Sequence, residues 1–253
     1  MKQIITLLMH FMYYRHRYAW SARILSKKTR GERKKWLSEL SRNGIVVIPK
    51  SFESQDIDKM VSEIEYSIAN QKYKKLIDLP EYGVKRYILS SDSSDSANRL
   101  VFNDFFDELG RNYLGGLGER FQTMFEIKGG ENARSIADDM HFDDWKKRFK
   151  IFVYLNDVND SNCPFHFYPN SKRNSFSRFI KECEYVLWGR RGSFGYYTKR
   201  EEERLIQEKE IMPLTVTGKK GTVILCDTSY LHRGTQSKDG SQRSLLAAYY
   251  ALR

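Results

Sequence analysis

The sequence predicts a mainly β domain with packed helices, preceded by a basic helical extension. Short β-branched, aromatic or alternating stretches recur from residue 45 to residue 250, set off by Gly, Pro, Asn and Ser turns. Aromatics make up 14% of the chain, mostly Tyr and Phe, within an apolar content of 40%. That balance belongs to a globular chain and excludes a disordered or collagenous one. The length of 253 residues is enough for one full-sized core.

The net charge of +11 is uneven. Residues 1–35 carry ten Lys and Arg against Glu32 alone, a net of +9 that leaves +2 for residues 36–253. The domain boundary is therefore placed there: 1–35 as a basic amphipathic helical segment, 36–253 as the domain that does the chemistry. Residues 4–14 form an apolar run of eleven, too short to cross a bilayer, which takes about 20. With Tyr13, Tyr14, Tyr18 and Trp20 among Arg15, Arg17 and Arg23, the segment suits a helix lying in an anionic membrane interface. A helix packed on the domain is the other reading. A signal peptide fits poorly, because Arg15 and Arg17 fall where a small, neutral cleavage region belongs. No nucleic-acid motif accompanies the charge, and none is expected to bind. Cys163, Cys183 and Cys226 are far apart and form no CxxC pair, which points to a reducing, cytoplasmic setting, peripheral to the inner face of a membrane if the segment docks.

In order, residues 27–40 predict a helix stopped by Asn43-Gly44, and Ile45 to Ile48 a strand closed by Pro49. Ile57, Met60, Val61, Ile64 and Ile68 recur at helical spacing behind Ser54 as N-cap. Residues 70–100 are polar and irregular, and the serine-rich run 90–96 is expected to be a mobile loop, a candidate lid. A helix follows over 102–114, then strands over 121–128, 149–155 and 164–169. Residues 171–210 are expected to be an insertion, helical at 171–184 and 198–210, with Arg190, Arg191, Tyr196 and Tyr197 available to an anionic or sugar-like substrate. Strands over 212–217 and 222–226 are expected to pair across a hairpin-like turn at 218–221. The last strand, 244–250, is opened by Arg243.

The chemistry is concentrated in two stretches. In His141-Phe142-Asp143 an extended backbone turns both polar side chains to one face, because the side-chain period is two. His232 sits between the last two strands and supplies a third ligand; His166 is the runner-up. Two imidazoles and one carboxylate with other positions open are the ligand set of non-haem Fe(II) sites. Arg243, eleven residues after His232, is positioned to meet a co-substrate carboxylate.

HFDDW (141–145), the stretch 163–172 (CPFHFYPNSK) and GTVILCDTSYLHRGTQSKDGSQRSLLAAYY (221–250) together resemble blocks of the phytanoyl-CoA dioxygenase-like family, in order and spacing, over roughly residues 40–253. Cys163 and Asn170 stand where that family has glycines, and Lys172 where it often has His. The resemblance implies a double-stranded β-helix (jelly roll, cupin-like) with helices on one side. It implies Fe(II) held by His141, Asp143 and His232, with 2-oxoglutarate and O2 as co-substrates. Arg243 would hold the far carboxylate of 2-oxoglutarate, and Thr235 would be a second donor there. Trp145, Tyr154 and Asn156 would wall the substrate pocket. The implied activity is hydroxylation of a small molecule, lipid or glycan, a glycolipid-like substrate if the N-terminus docks on membrane, with release of succinate and CO2. A non-catalytic jelly-roll binding or scaffold protein and a cupin-type metal isomerase are the alternatives; the isomerase would have no use for Arg243.

Overall fold

The computed structural model describes residues 5, 6, 8, 9, 12, 13, 30–90, 93–115, 118–130, 136–144, 146–169, 171, 180, 183, 195–208 and 211–252. In chain order these form α1 (Gly31–Asn43), β1 (Ile45–Ile48), α2 (Ser54–Ala69), β2 (Tyr73–Leu79), β3 (Val84–Leu89), α3 (Asp95–Leu100), α4 (Asp104–Tyr113) and β4 (Gly118–Lys128). Then come β5 (Phe149–Tyr154), β6 (Phe165–Phe167), α5 (Lys199–Gln207), β7 (Leu214–Val216), β8 (Val223–Asp227), β9 (His232–Arg233) and β10 (Arg243–Leu252).

Seven strands make one antiparallel sheet in the order β1-β8-β5-β10-β4-β3-β2, and β7-β6-β9 make a second, smaller one. Alternation along the strands divides the core in two. Phe149, Ile151 and Val153 of β5 and Leu246, Ala248 and Tyr250 of β10 face the helices, where they pack on Leu40, Ile57, Met60, Ile64 and Leu109. The intervening Phe152, Tyr154, Leu245 and Ala247 face the small sheet and meet Phe165, Phe167 and Val216. This is a double-stranded β-helix with helices on one side. Its interior lies between the two sheets, and the site opens there.

The structure differs from the sequence reading in several elements. Residues 70–100 hold two strands and a helix, β2, β3 and α3. Strand β2 is half exposed and rich in Lys, so its polarity hid an edge strand. Residues 93–96 of the expected lid are pinned instead. Glu63 accepts hydrogen bonds from Ser94 Oγ, Ser96 N and Ser96 Oγ (2.9, 2.9 and 2.6 Å), and Ser94 caps α3. Ser54 does not cap α2; Glu53 holds that position, with no side-chain bond. Residues 218–221 are no hairpin, for β7 and β8 belong to different sheets and the turn carries the chain from one to the other. Of the insertion, α5 is present with Thr198 and Glu201 as a capping box. Most of residues 171–194 lies outside the described residues.

Candidate metal centre

β9 and the stretch before β5 bring the ligands together. His141 and His232 sit opposite one another and exchange both backbone hydrogen bonds, His141 N to His232 O at 2.9 Å and His232 N to His141 O at 2.8 Å. Residues paired this way present their side chains on the same face. The two rings lie with centroids 4.3 Å apart. Asp143 is anchored by its own N–H, donated to the carbonyl of Thr228 at 2.9 Å. Asp143 Oδ1 lies 3.6 Å from His232 Nε2 and 3.9 Å from His141 Nε2. One ligand atom from each residue falls within 4.8 Å of the others, the spacing a single bound cation would require.

The surroundings fix which atoms point inward. His141 Nδ1 lies 2.8 Å from the carbonyl of Asp139, and His232 Nδ1 lies 3.0 Å from that of Tyr230. A carbonyl only accepts, so each Nδ1 carries the proton and each Nε2 presents its lone pair. Burial pushes the His141 imidazole below its ordinary pKa, and burial with the neighbouring His141 pushes His232 down to about 3. Both rings are therefore neutral at pH 7, as ligands must be. The second oxygen of Asp143 is held by Thr228 Oγ1 and by Lys150 Nζ, the latter at 2.6 Å. Burial opposes the charge on Asp143, but Lys150 and His232 outweigh it and hold the carboxyl well below the usual range. The ring of Tyr196 stacks on His141 with centroids 4.8 Å apart.

A cavity of about 90 Å³ runs inward from His141 and His232 to Arg243, past Phe152, Tyr154 and Leu245. Arg243 is buried at 5% exposure and faces this interior. It is not bare. Nη1 donates to the carbonyl of Cys163 at 2.7 Å and Nη2 to Glu126 Oε1 at 2.6 Å, while Arg86 Nε holds the other oxygen of Glu126 at 2.6 Å. Arg243 Nε is buried and has no hydrogen-bond partner among the described residues. Lys128 and Asp138 form a further buried pair beside the cavity.

Tyr154 lines the inner cavity and donates its hydroxyl to the carbonyl of Val216 at 2.7 Å. Two other expected site residues lie elsewhere. Thr235 lines a groove on the outer face of the small sheet, not the cavity of Arg243, and its hydroxyl proton goes to the carbonyl of Pro164 at 2.7 Å. Asn156 clamps the entry to β10, bonded to Gln242 O and Ser244 N at 2.7 Å each, and lines neither cavity. His166 faces outward on β6, its Nε2 3.2 Å from Thr215 Oγ1, and among the described residues it joins no cluster of metal-ligating side chains. Trp145, Arg190 and Arg191 lie outside the described residues. Lys150, Glu126, Lys128 and Arg86 were missed. A signal was present in period two, since Lys150 shares its strand face with Phe152 and Tyr154, and Glu126 and Lys128 share theirs with Met124.

No protein-family model and no curated protein sequence matches the chain. Solved structures do. SnoN, a non-haem α-ketoglutarate-dependent epimerase of nogalamycin biosynthesis, solved with Fe3+, α-ketoglutarate and nogalamycin RO, aligns at TM-score 0.60 and 15% identity over 87% of this chain and 83% of its own. EctD from S. alaskensis, solved with 2-oxoglutarate and 5-hydroxyectoine, aligns at TM-score 0.65 and 16% identity over 86% and 75%. The chain has the fold of these enzymes. HygX from Streptomyces hygroscopicus, solved with nickel, 2-oxoglutarate and hygromycin B, aligns over 87% of both chains at TM-score 0.56 and 17% identity.

Proposed function

We propose that the chain is an Fe(II)- and 2-oxoglutarate-dependent oxygenase, akin to the phytanoyl-CoA dioxygenases, that hydroxylates a small molecule with release of succinate and CO2. The observation that carries the proposal is the convergence of His141 Nε2, His232 Nε2 and Asp143 Oδ1, with each Nδ1 tied to a backbone carbonyl. This donor set fits iron: neutral imidazoles, an anionic carboxylate and outer partners that fix their orientation. Bound there, Fe(II) with 2-oxoglutarate would supply the activation of dioxygen. The protein's own residues do the rest. Lys150 and Thr228 hold Asp143 in one orientation, and Tyr196 covers one face of His141. Phe152, Phe165 and Leu245 keep the interior dry. Arg243 offers the carboxylate of 2-oxoglutarate the donors it does not spend on Glu126 and Cys163, Nε among them.

Arg243 at the end of the cavity favours this reading over a cupin-type isomerase, and the tuned ligands favour it over a scaffold. The test is succinate release dependent on both Fe(II) and 2-oxoglutarate. Arg243→Ala is expected to raise the 2-oxoglutarate concentration required by about 10- to 100-fold, the worth of a lost charge-assisted bond. Unchanged kinetics would contradict it. Because SnoN, of the same fold, is an epimerase, a product that gains one oxygen atom is the result that establishes hydroxylation.

A further inference from the structure

A second cavity, of about 330 Å³, lies beyond Lys150 and Tyr249. It shares Arg86, Met124, Lys150 and Tyr249 with the inner cavity and touches the candidate metal centre at Asp143. Its volume is that of a small-molecule pocket. Phe121, 57% exposed, stands at its edge with its ring centroid 6.2 Å from that of Tyr249, and Lys150 Nζ sits 4.6 Å from the Tyr249 centroid.

We propose that this cavity is the substrate site and that it takes an anionic small molecule. A carboxylate or phosphate docks on Arg148 and Arg86, and a ring or chain lies along Tyr249 and Phe121. The chemistry done there rests on the oxygenase reading; the binding does not.

Charge carries the inference. Among the described residues, the cavity lining holds three cations, Arg86, Arg148 and Lys150, and one acid, Asp143. Asp143 is already engaged by Lys150. Arg86 shares Glu126 with Arg243, so two guanidiniums divide one carboxylate. Arg148 pairs with Asp144 at 3.1 Å on one side and faces the cavity on the other. Among the described residues, five cations line the two cavities, Arg86, Lys128, Arg148, Lys150 and Arg243, against two lining acids, Asp143 and Glu126; Asp138 and Asp144 pair with Lys128 and Arg148 from outside the lining. A metal dication and a dicarboxylate cancel one another, so this surplus survives loading. Excess charge in a partly buried site is costly unless a counter-ion neutralises it. A substrate anion does so, and Gln122 on the same wall adds a neutral donor.

The test uses the full chain, under anaerobic conditions with Fe(II) and 2-oxoglutarate present, titrated calorimetrically with phenyl phosphate and separately with phenol. Phenyl phosphate is expected to bind at least tenfold more tightly than phenol. Arg148→Gln is expected to weaken phenyl phosphate about tenfold and leave phenol unaffected, and Gln122→Glu to act likewise through repulsion, which decides the matter if the first variant does not fold. Equal affinity for the two probes, or phenyl phosphate binding indifferent to these substitutions in folded protein, overturns the proposal. Succinate production together with equal probe affinities would remove the anionic substrate and leave the oxygenase. Selective phenyl phosphate binding without any succinate would do the reverse.

Discussion

Lys150 is the residue whose role the geometry states most clearly. It packs against Asp143 and Tyr249 with its side chain 14% exposed, and although desolvation works against the ammonium, Asp143 keeps its pKa above the ordinary lysine value. Partners of this kind orient metal ligands, and their loss typically weakens the metal by 10- to 100-fold. Lys150→Met, close in length, is therefore expected to lower Fe(II) affinity by about that factor, measured by anaerobic titration, while the fold persists. Glu126 gives a pH test. Burial alone would raise its carboxyl, but Arg243 and Arg86 override burial and hold it at about 2. A folded-state value below the unfolded one means that its stabilisation is complete above pH about 4.5 and is lost as pH falls toward 2. Glu126→Gln should flatten that part of the acid-unfolding curve. At neutral pH it should cost about 3–5 kcal/mol, because two buried guanidiniums, Arg243 and Arg86, lose their shared negative charge and are left with one amide oxygen between them. The triad was legible because its ligands are rare residue types at a metal's spacing. Glu126 and Lys150 share strand parity with core residues, but a charge inside a strand is ordinarily a solvated face, so the period alone did not single them out and the partner across the interior does.

Among elements, the turn from α1 into β1 connects the helical layer to the site. Gly44 ends α1 at φ 77°, where L side chains are strained, and a Cβ there would lie 2.6 Å from the ring of Tyr230. Tyr230 in turn offers its carbonyl to His232 Nδ1. Gly44→Ala is expected to cost at least ~1 kcal/mol, a drop of about 2–4 °C in Tm for a chain of this size. Calorimetry of the apo-protein checks it. The Asn-Gly stop and the strand behind it were visible in the sequence, as were β5, β8 and β10, which are short, mostly apolar runs of strand length. Strands β2 and β3 were not. Lys74, Lys75 and Lys85 face solvent on a sheet edge, and their pattern resembles a loop until the pairing with β4 is known. Nor could residues 218–221 reveal that they join two sheets, since a hairpin and a sheet-to-sheet turn use the same Gly-rich chemistry.

At the scale of the whole molecule, α1 to α4 cover one face of the large sheet and leave the space between the sheets to the site, while α5 packs beside the small sheet. No described helix is long and apolar enough to cross a membrane. Residues 5, 6, 8, 9, 12 and 13 are helical, and Ile5, Leu8, Met9, Met12 and Tyr13 are exposed. An exposed apolar surface within a segment of net charge +9 suits an anionic bilayer. Removal of residues 1–29, which spares α1, is expected to abolish co-sedimentation with vesicles rich in phosphatidylglycerol and to leave the melting temperature of the domain unchanged. Undiminished sedimentation would contradict the expectation that this segment docks on membrane and favour the helix packed on the domain. The proposed activity requires that one cation be held jointly by His141, Asp143 and His232, and anaerobic equilibrium binding of Fe(II) measures that directly. The wild-type chain should take up one Fe(II), and His232→Ala, folded as judged by circular dichroism, should take up none at the same concentration. Equal stoichiometry and affinity in the two proteins would contradict it.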